Sequence, residues 1–241
     1  MSKTMIRHLV LSVAGLLAAP VAWSAAETGF YVGGFFGVSD RQDDTQVYDL
    51  FSARVVDFAG LALDTRATTL DSGSKTYGFT GGYRLFQNFA IEGGYMTLGT
   101  SKFRDRSRGI YPGNAATDTT PATPDVPANL LVNVDNEIGG IAVSALGILP
   151  LSYRFEVYGR AGVMFSTHDF KVFFNDDQGG PGIKDSRSEN STDLLAGAGA
   201  SMMLAEVYTL RAEVIRVFDA GDEVNGEGDV DLFTLGVTVK F

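Results

Sequence analysis

The feature that most narrows what this chain can fold into is its final segment, DLFTLGVTVKF, Asp231 to Phe241, which alternates in character up to the last residue. Successive side chains of a strand point to opposite faces. Phe233, Leu235, Val237, Val239 and Phe241 therefore share one wholly apolar face, while Leu232, Thr234, Gly236, Thr238 and Lys240 share the other, which is mostly small or polar. About nine to eleven residues of tilted strand cross a hydrocarbon core, and the segment has that length.

Seven further segments have this character, so the expected strands are Thr28 to Val38, Lys75 to Leu85, Asn88 to Gly99, Asn136 to Leu149, Tyr153 to His168, Thr192 to Leu204, Tyr208 to Phe218 and Val230 to Phe241. Tight turns are expected at Phe86-Gln87, Pro150 to Ser152 and Ala205 to Val207. Long connections are expected at Ser39 to Ser74, Thr100 to Asp135, Asp169 to Ser191 and Asp219 to Asp229. Short and long connections alternate throughout. That pattern predicts an all-β fold: an eight-stranded antiparallel up-and-down transmembrane β-barrel with four long extracellular loops and three short periplasmic turns, both termini being periplasmic. Glycines inside the runs, such as Gly81, Gly82, Gly93 and Gly94, would weaken an isolated strand. A tightly closed sheet can use them where lumen side chains crowd the backbone.

A period of two does not say which face is interior, and a soluble lipid-binding barrel would place the apolar face inside. The charge density decides. Solvated surfaces are about 25–35% charged, whereas these polar faces carry only Arg84, Glu92, Arg154, Glu156, Arg160, Arg211, Glu213 and Lys240. The apolar faces carry Phe30, Tyr77, Phe79, Tyr83, Phe89, Tyr95, Phe155, Phe165 and Phe233, the aromatic girdles of a lipid-facing wall. The apolar side is expected to look outward. Pairing of the last strand with the first removes both sheet edges, which gives the run from Phe233 to Phe241 its role in closure.

Lys3 and Arg7, the apolar run Leu9 to Val21 and the small residues Ala22, Ser24, Ala25 and Ala26 predict a secretory signal peptide over residues 1–26, cleaved after Ser24 or Ala26. Residues 27–241 are then the barrel domain, in the outer membrane of a Gram-negative bacterium. Without Lys3 and Arg7 the chain keeps 17 basic against 29 acidic residues, a net charge of −12. Nucleic acid is a poor partner for such a surface. The absence of cysteine excludes disulfides and thiol chemistry.

The segments GFYVGGFFGVS, GYRLFQNFAIEGGY, ALGILPLSYRFEVYGRAGVMF, TLRAEVIR and DLFTLGVTVKF, in that order, resemble the OmpA-type transmembrane domain and related small eight-stranded outer-membrane proteins. The resemblance implies insertion by the barrel-assembly machinery, which in that family reads the last strand and its terminal aromatic, here Phe241. It also implies a lumen plugged by charge, with Glu92 and Arg211 at the matching positions. The family's lysine on strand four and second glutamate on strand six align near Ala145 and Ser201, so those charges are missing. The periplasmic peptidoglycan-binding domain of full-length members is not expected here.

The remaining chemistry is sparse. Ser166 and His168 share a face at i, i+2, a spacing a nucleophile and base could use, but no orienting group or oxyanion motif accompanies them. The acidic tract Asp219 to Asp231 does not match a calcium loop. No catalytic residue, metal site or cofactor is expected. The lumen ion pairs are expected among Arg211 with Glu92 or Glu213, and Arg160 with Glu156, with Arg84 also on that face. The Thr/Pro-rich tract Thr117 to Ala128 is expected to be mobile. The more apolar first loop is expected to form a hairpin or small cap. The leading function is a structural and surface-interaction role, with lipopolysaccharide and other outer-membrane lipids around the wall and a host, phage or cell-surface ligand at the loops. A narrow gated channel is the alternative, followed by an outer-membrane acyl hydrolase and a soluble lipid-binding barrel.

Overall fold

The structure, a computed structural model, describes residues 28–42, 45–115, 117, 121–177, 182–220 and 228–241. The expected leader and the middle of the acidic tract lie outside them. The elements are β1 (Gly29–Arg41), α1 (Thr45–Phe58), β2 (Ala62–Asp71), β3 (Gly73–Phe86), β4 (Phe89–Tyr111), β5 (Val126–Pro150), β6 (Phe155–Asp176), β7 (Ile183–Met203), β8 (Tyr208–Ala220) and β9 (Gly228–Lys240). All except α1 and β2 form a closed antiparallel ring in chain order. The seam joins β1 to β9 from Tyr31 opposite Lys240 to Arg41 opposite Val230, and the Phe241 amide donates to the Phe30 carbonyl at 3.0 Å. Among the described residues no helix is long and apolar enough to cross a membrane.

The apolar side faces outward. Phe30, Tyr77, Phe79, Phe165 and Phe233 are all about half exposed or more, as are Phe36, Val38 and Ile141. A soluble protein would not leave such a belt in water.

Four strands run further than the alternation predicts, which corrects the second and third long connections. Thr100 to Tyr111, Val126 to Asp135, Asp169 to Asp176 and Ile183 to Ser191 are ladder rather than loop. The Thr/Pro tract also ends in strand, with Ala128 buried at its end. The reason is an inversion of pattern within one strand. On the short-turn side of Gly139, β5 puts Ile141, Val143, Ala145 and Leu149 outward. On the long-loop side it puts Asn133, Asp135 and Glu137 outward and buries Leu130, Val132 and Val134 on its inner face. The first pattern suits acyl chains and the second suits water. The wall leaves the bilayer near Gly139 without interrupting its hydrogen bonds.

On β4 the transition is made by a bulge. The register shifts between Thr97 and Gly99, where Gly99 holds φ +94°. One extra residue flips every side chain beyond it to the opposite face. Phe89, Ile91 and Tyr95 face outward before the bulge, and Lys102, Arg104, Arg106 and Arg108 face outward after it.

The first loop is a cap, built as a helix and a strand. Strand β2 pairs only with the distal part of β4, from Ala62 opposite Ile110 to Asp71 opposite Lys102. Helix α1 lays Tyr48, Val55 and Val56 against Phe103, Leu130, Val132, Val134 and Phe174 on the inner face, a stripe at helical spacing. The helix stops at Gly60, whose φ of +71° lets its amide reach the Asp57 carbonyl at 2.9 Å.

Asp105 locks this cap. Its buried carboxylate receives Ser52 from α1, Ser107 at 2.9 Å and Arg66 of β2 at 2.7 Å. Charged hydrogen bonds contribute about 1.5–3 kcal/mol each. Asp105→Ala is expected to lower hydrogen-exchange protection of α1 by at least tenfold, while β1, β8 and β9 keep theirs. Unchanged protection of α1 would show that apolar packing alone holds the helix.

Candidate functional site

The interior of an eight-stranded barrel is only just wide enough for side chains, and here it is filled in layers. Glu92 of β4, buried at 2% exposure, lies at the centre of a charged layer. Its Oε1 accepts from Tyr31 of β1 at 2.7 Å and from Arg211 of β8, and its Oε2 from Arg160 of β6. Glu213 lies 3.1 Å from Arg160 and 3.9 Å from Arg211. Two arginines thus face two glutamates, and the layer carries no net formal charge. The Tyr158 hydroxyl accepts from Arg211 Nε at 3.0 Å, and the guanidinium sits 4.7 Å from the Tyr158 ring centre.

Two inward glycines make room for the tyrosines. A Cβ on Gly82 would fall 2.4 Å from the Tyr31 ring, and one on Gly199 would fall 2.5 Å from the Tyr158 ring. Tyr31 and Tyr158 escaped sequence reasoning, although each stands at lumen parity opposite a glycine on the neighbouring strand. That juxtaposition was the available signal.

The expected partner of Arg160 was Glu156, and the structure assigns it differently. The two lie i, i+4 on one strand, about 13 Å apart along it, too far for direct contact. Arg160 reaches across the lumen to Glu92 and Glu213, while Glu156 is held in a fork by Arg84 at 2.9 and 3.0 Å. Ala145, the position aligned with the family lysine, is on the outward face; Ser144 faces the lumen, as does Ser201.

Toward the short turns, the charged layer opens into a cavity of about 480 Å³ lined by Arg84, Glu156, Tyr158, Arg211 and Lys240. Toward the long loops it meets an apolar layer of Met96, Ile138, Met164, Leu195, Ile215 and Leu232, contributed by six strands. Above that layer the Ser166 hydroxyl donates to Asp193, and His168 Nε2 lies 2.9 Å from the Ser191 hydroxyl. Ser166 and His168 are therefore occupied with different partners. Among the described residues no group of three or more potential ligands could hold a metal ion.

A family model described as an OmpA-like transmembrane domain matches residues 25–241. The neisserial surface protein A structure shares 15% identity, with 88% of this chain and 97% of that one covered, at a TM-score of 0.50. The attachment invasion locus protein of Yersinia pestis shares 13% identity over 89% and 100% at 0.47, and the outer membrane protein OprG from Pseudomonas aeruginosa shares 14% over 90% and 98% at 0.43. At these identities the likeness is one of fold. No curated protein matches the chain.

Proposed function

The chain belongs to the OmpA-like transmembrane-domain family of outer-membrane β-barrels, and from that premise we propose that it is a structural and surface-interaction protein without catalysis. The short turns and both termini lie on the periplasmic side, the long loops are extracellular, and the assembly machinery reads the strand ending in Phe241. Lipopolysaccharide and other outer-membrane lipids surround the wall.

The outer face of α1 carries this reading. Leu50, Phe51 and Phe58 are 62%, 42% and 96% exposed and share a face with Arg54. They project from a helix whose other side is locked to a rigid sheet. Clustered apolar side chains held in water above a membrane are what a contact surface offers. Phe51→Ser with Phe58→Ser is expected to cut adhesion of displaying bacteria to host cells or matrix by at least about 25-fold, since each truncated interface anchor costs more than about 1 kcal/mol, a factor of about five apiece. Equal adhesion with an intact barrel would refute this contact surface.

The channel reading draws on the cavity below Glu92. The apolar layer above the charge cluster opposes it, because ions would have to shed water there. The hydrolase reading loses its pair, since Ser166 bonds to Asp193 and His168 to Ser191.

A further inference from the structure

We propose that the outer face of α1 recognises a second copy of this chain displayed on an opposed membrane, the two helices packing antiparallel. The inference rests on the reading of that face as a contact surface and names its partner. Leu50, Phe51, Ala53, Arg54, Asp57 and Phe58 are all exposed, and at about 100° per residue they fill a single stripe about 160° wide. A helix that buries one apolar stripe against a sheet ordinarily turns a polar face to water. Here the solvent side carries three large apolar side chains around one cation and one anion. Neither Arg54 nor Asp57 has an ion pair or a side-chain hydrogen bond among the described residues.

The order of these residues is self-complementary. When two copies of α1 pack antiparallel about the midpoint between Val55 and Val56, Arg54 of each stands level with Asp57 of the other. Phe51 of each then comes within about 3 Å, along the axis, of the level of Phe58 of the other. The contact is isologous, with two opposite-charge pairs beside two aromatic pairs. A parallel arrangement would instead set Arg54 against Arg54 and Asp57 against Asp57. Two copies repel one another overall, each chain carrying a net charge of −10, so a face whose own charges cancel is where they can meet.

The direction of the helix decides where the second copy stands. Tyr48 stacks on Phe103, near the bulge, with ring centres 5.4 Å apart, while Val56 packs with Leu61, Ala128 and Leu130 at the far end of the sheet. Helix α1 therefore climbs away from the membrane along the strands. Copies side by side in one membrane are related by an axis along its normal, which leaves both helices climbing in the same sense. An axis in the membrane plane reverses one helix and inverts its membrane with it. Antiparallel packing thus selects copies on two facing surfaces. Strand β4 runs on from Gly99 to Tyr111, about 40 Å of chain, which carries α1 beyond the headgroups. One helix pair is smaller than the roughly 800 Å² per partner of a stable dimer, so the contact holds through many copies acting together.

The test uses the chain without its expected leader, folded into two batches of preformed phosphatidylcholine vesicles that carry different dyes. Two-colour pairs are counted by fluorescence cross-correlation. Heat-modified gel mobility checks folding, and protease digestion counts the loops that face outward. Native chains on both batches should tether them, whereas native chains facing protein-free vesicles should not. Arg54→Asp on both batches, or Asp57→Arg on both, turns two attractions into two repulsions and should lower pairing by about tenfold. Arg54→Asp on one batch with Asp57→Arg on the other recreates both opposite-charge pairs and should restore tethering. Equal tethering by the folded single variants, or no recovery in the mixture, would overturn the proposal. So would tethering to protein-free vesicles, which would make the partner a bilayer. Host-cell adhesion that needs Phe51 and Phe58, with no tethering of vesicles, would keep the contact surface and overturn self-recognition.

Discussion

Replacing Glu92 by alanine is expected to destabilise the barrel by about 3–5 kcal/mol and to leave its ion conductance unchanged. The first part follows from the charge layer. Glu92 neutralises two buried arginines at once, and removing one member of a buried ionic cluster leaves an uncompensated charge at about that cost. Glu213 cannot serve both, being 3.1 Å from Arg160 but 3.9 Å from Arg211. Removing Arg211 together with Glu92 should recover part of the loss, because the orphaned cation goes with its partner. Urea unfolding followed by far-ultraviolet circular dichroism or gel mobility reads the effect, since the one tryptophan, Trp23, falls in the expected leader. The second part follows from the apolar layer of Met96, Ile138, Met164, Leu195, Ile215 and Leu232, which stays in place when Glu92 is gone. A large rise in planar-bilayer conductance in the variant would show that the charge cluster alone closes a continuous pore.

Gly99→Val should be the more disruptive change for everything above the membrane. At φ +94° a β-branched side chain is strained, by roughly 1–3 kcal/mol. Its Cβ would also fall 2.4 Å from the Ser74 Cβ and 2.9 Å from the Ser39 hydroxyl, on the two preceding strands of the wall. Two outcomes relieve this: the distal half of β4 detaches, or the bulge is lost and the register slips by one. The slip would drive four cations inward and expel Phe103 and Asp105 from under the cap. Either way residues 100–111 become cleavable by protease on intact cells, while the barrel below keeps its heat-modified mobility. Protection equal to that of the native protein would mean that the bulge is not what aims the distal strand.

The barrel was legible because lipid imposes a single rule along each crossing: apolar residues every second position, with the rest small enough or paired enough for a narrow lumen. Glu92, Arg160, Arg211 and Glu213 could be placed on the lumen face by parity alone. The partner of Arg160 could not, because parity gives a face and not a distance; Arg160 finds Glu92 on β4 rather than Glu156 on its own strand. The distal sheet was illegible for a different reason. Above Gly139 the rule inverts, so outward Asn133 and Asp135 read as loop, and on β4 the Gly99 bulge broke the parity that would have tied Phe103 to the rest. The first loop gave away its apolar character but not its helix, whose inward stripe makes sense only against Leu130 and Val132, more than 70 residues later in the sequence.

The orientation of the wall can be read position by position, because the chain contains no cysteine of its own and single cysteines can be placed along β5. Spin labels at Ile141, Val143 and Ala145 in a bilayer should collide with oxygen and be shielded from a water-soluble nickel complex. Labels at Asn133 and Asp135 should show the reverse, with the crossover between Glu137 and Ile141. Nickel access at Ile141, Val143 and Ala145, equal to that at Asn133, would mean that the exposed apolar belt does not face lipid.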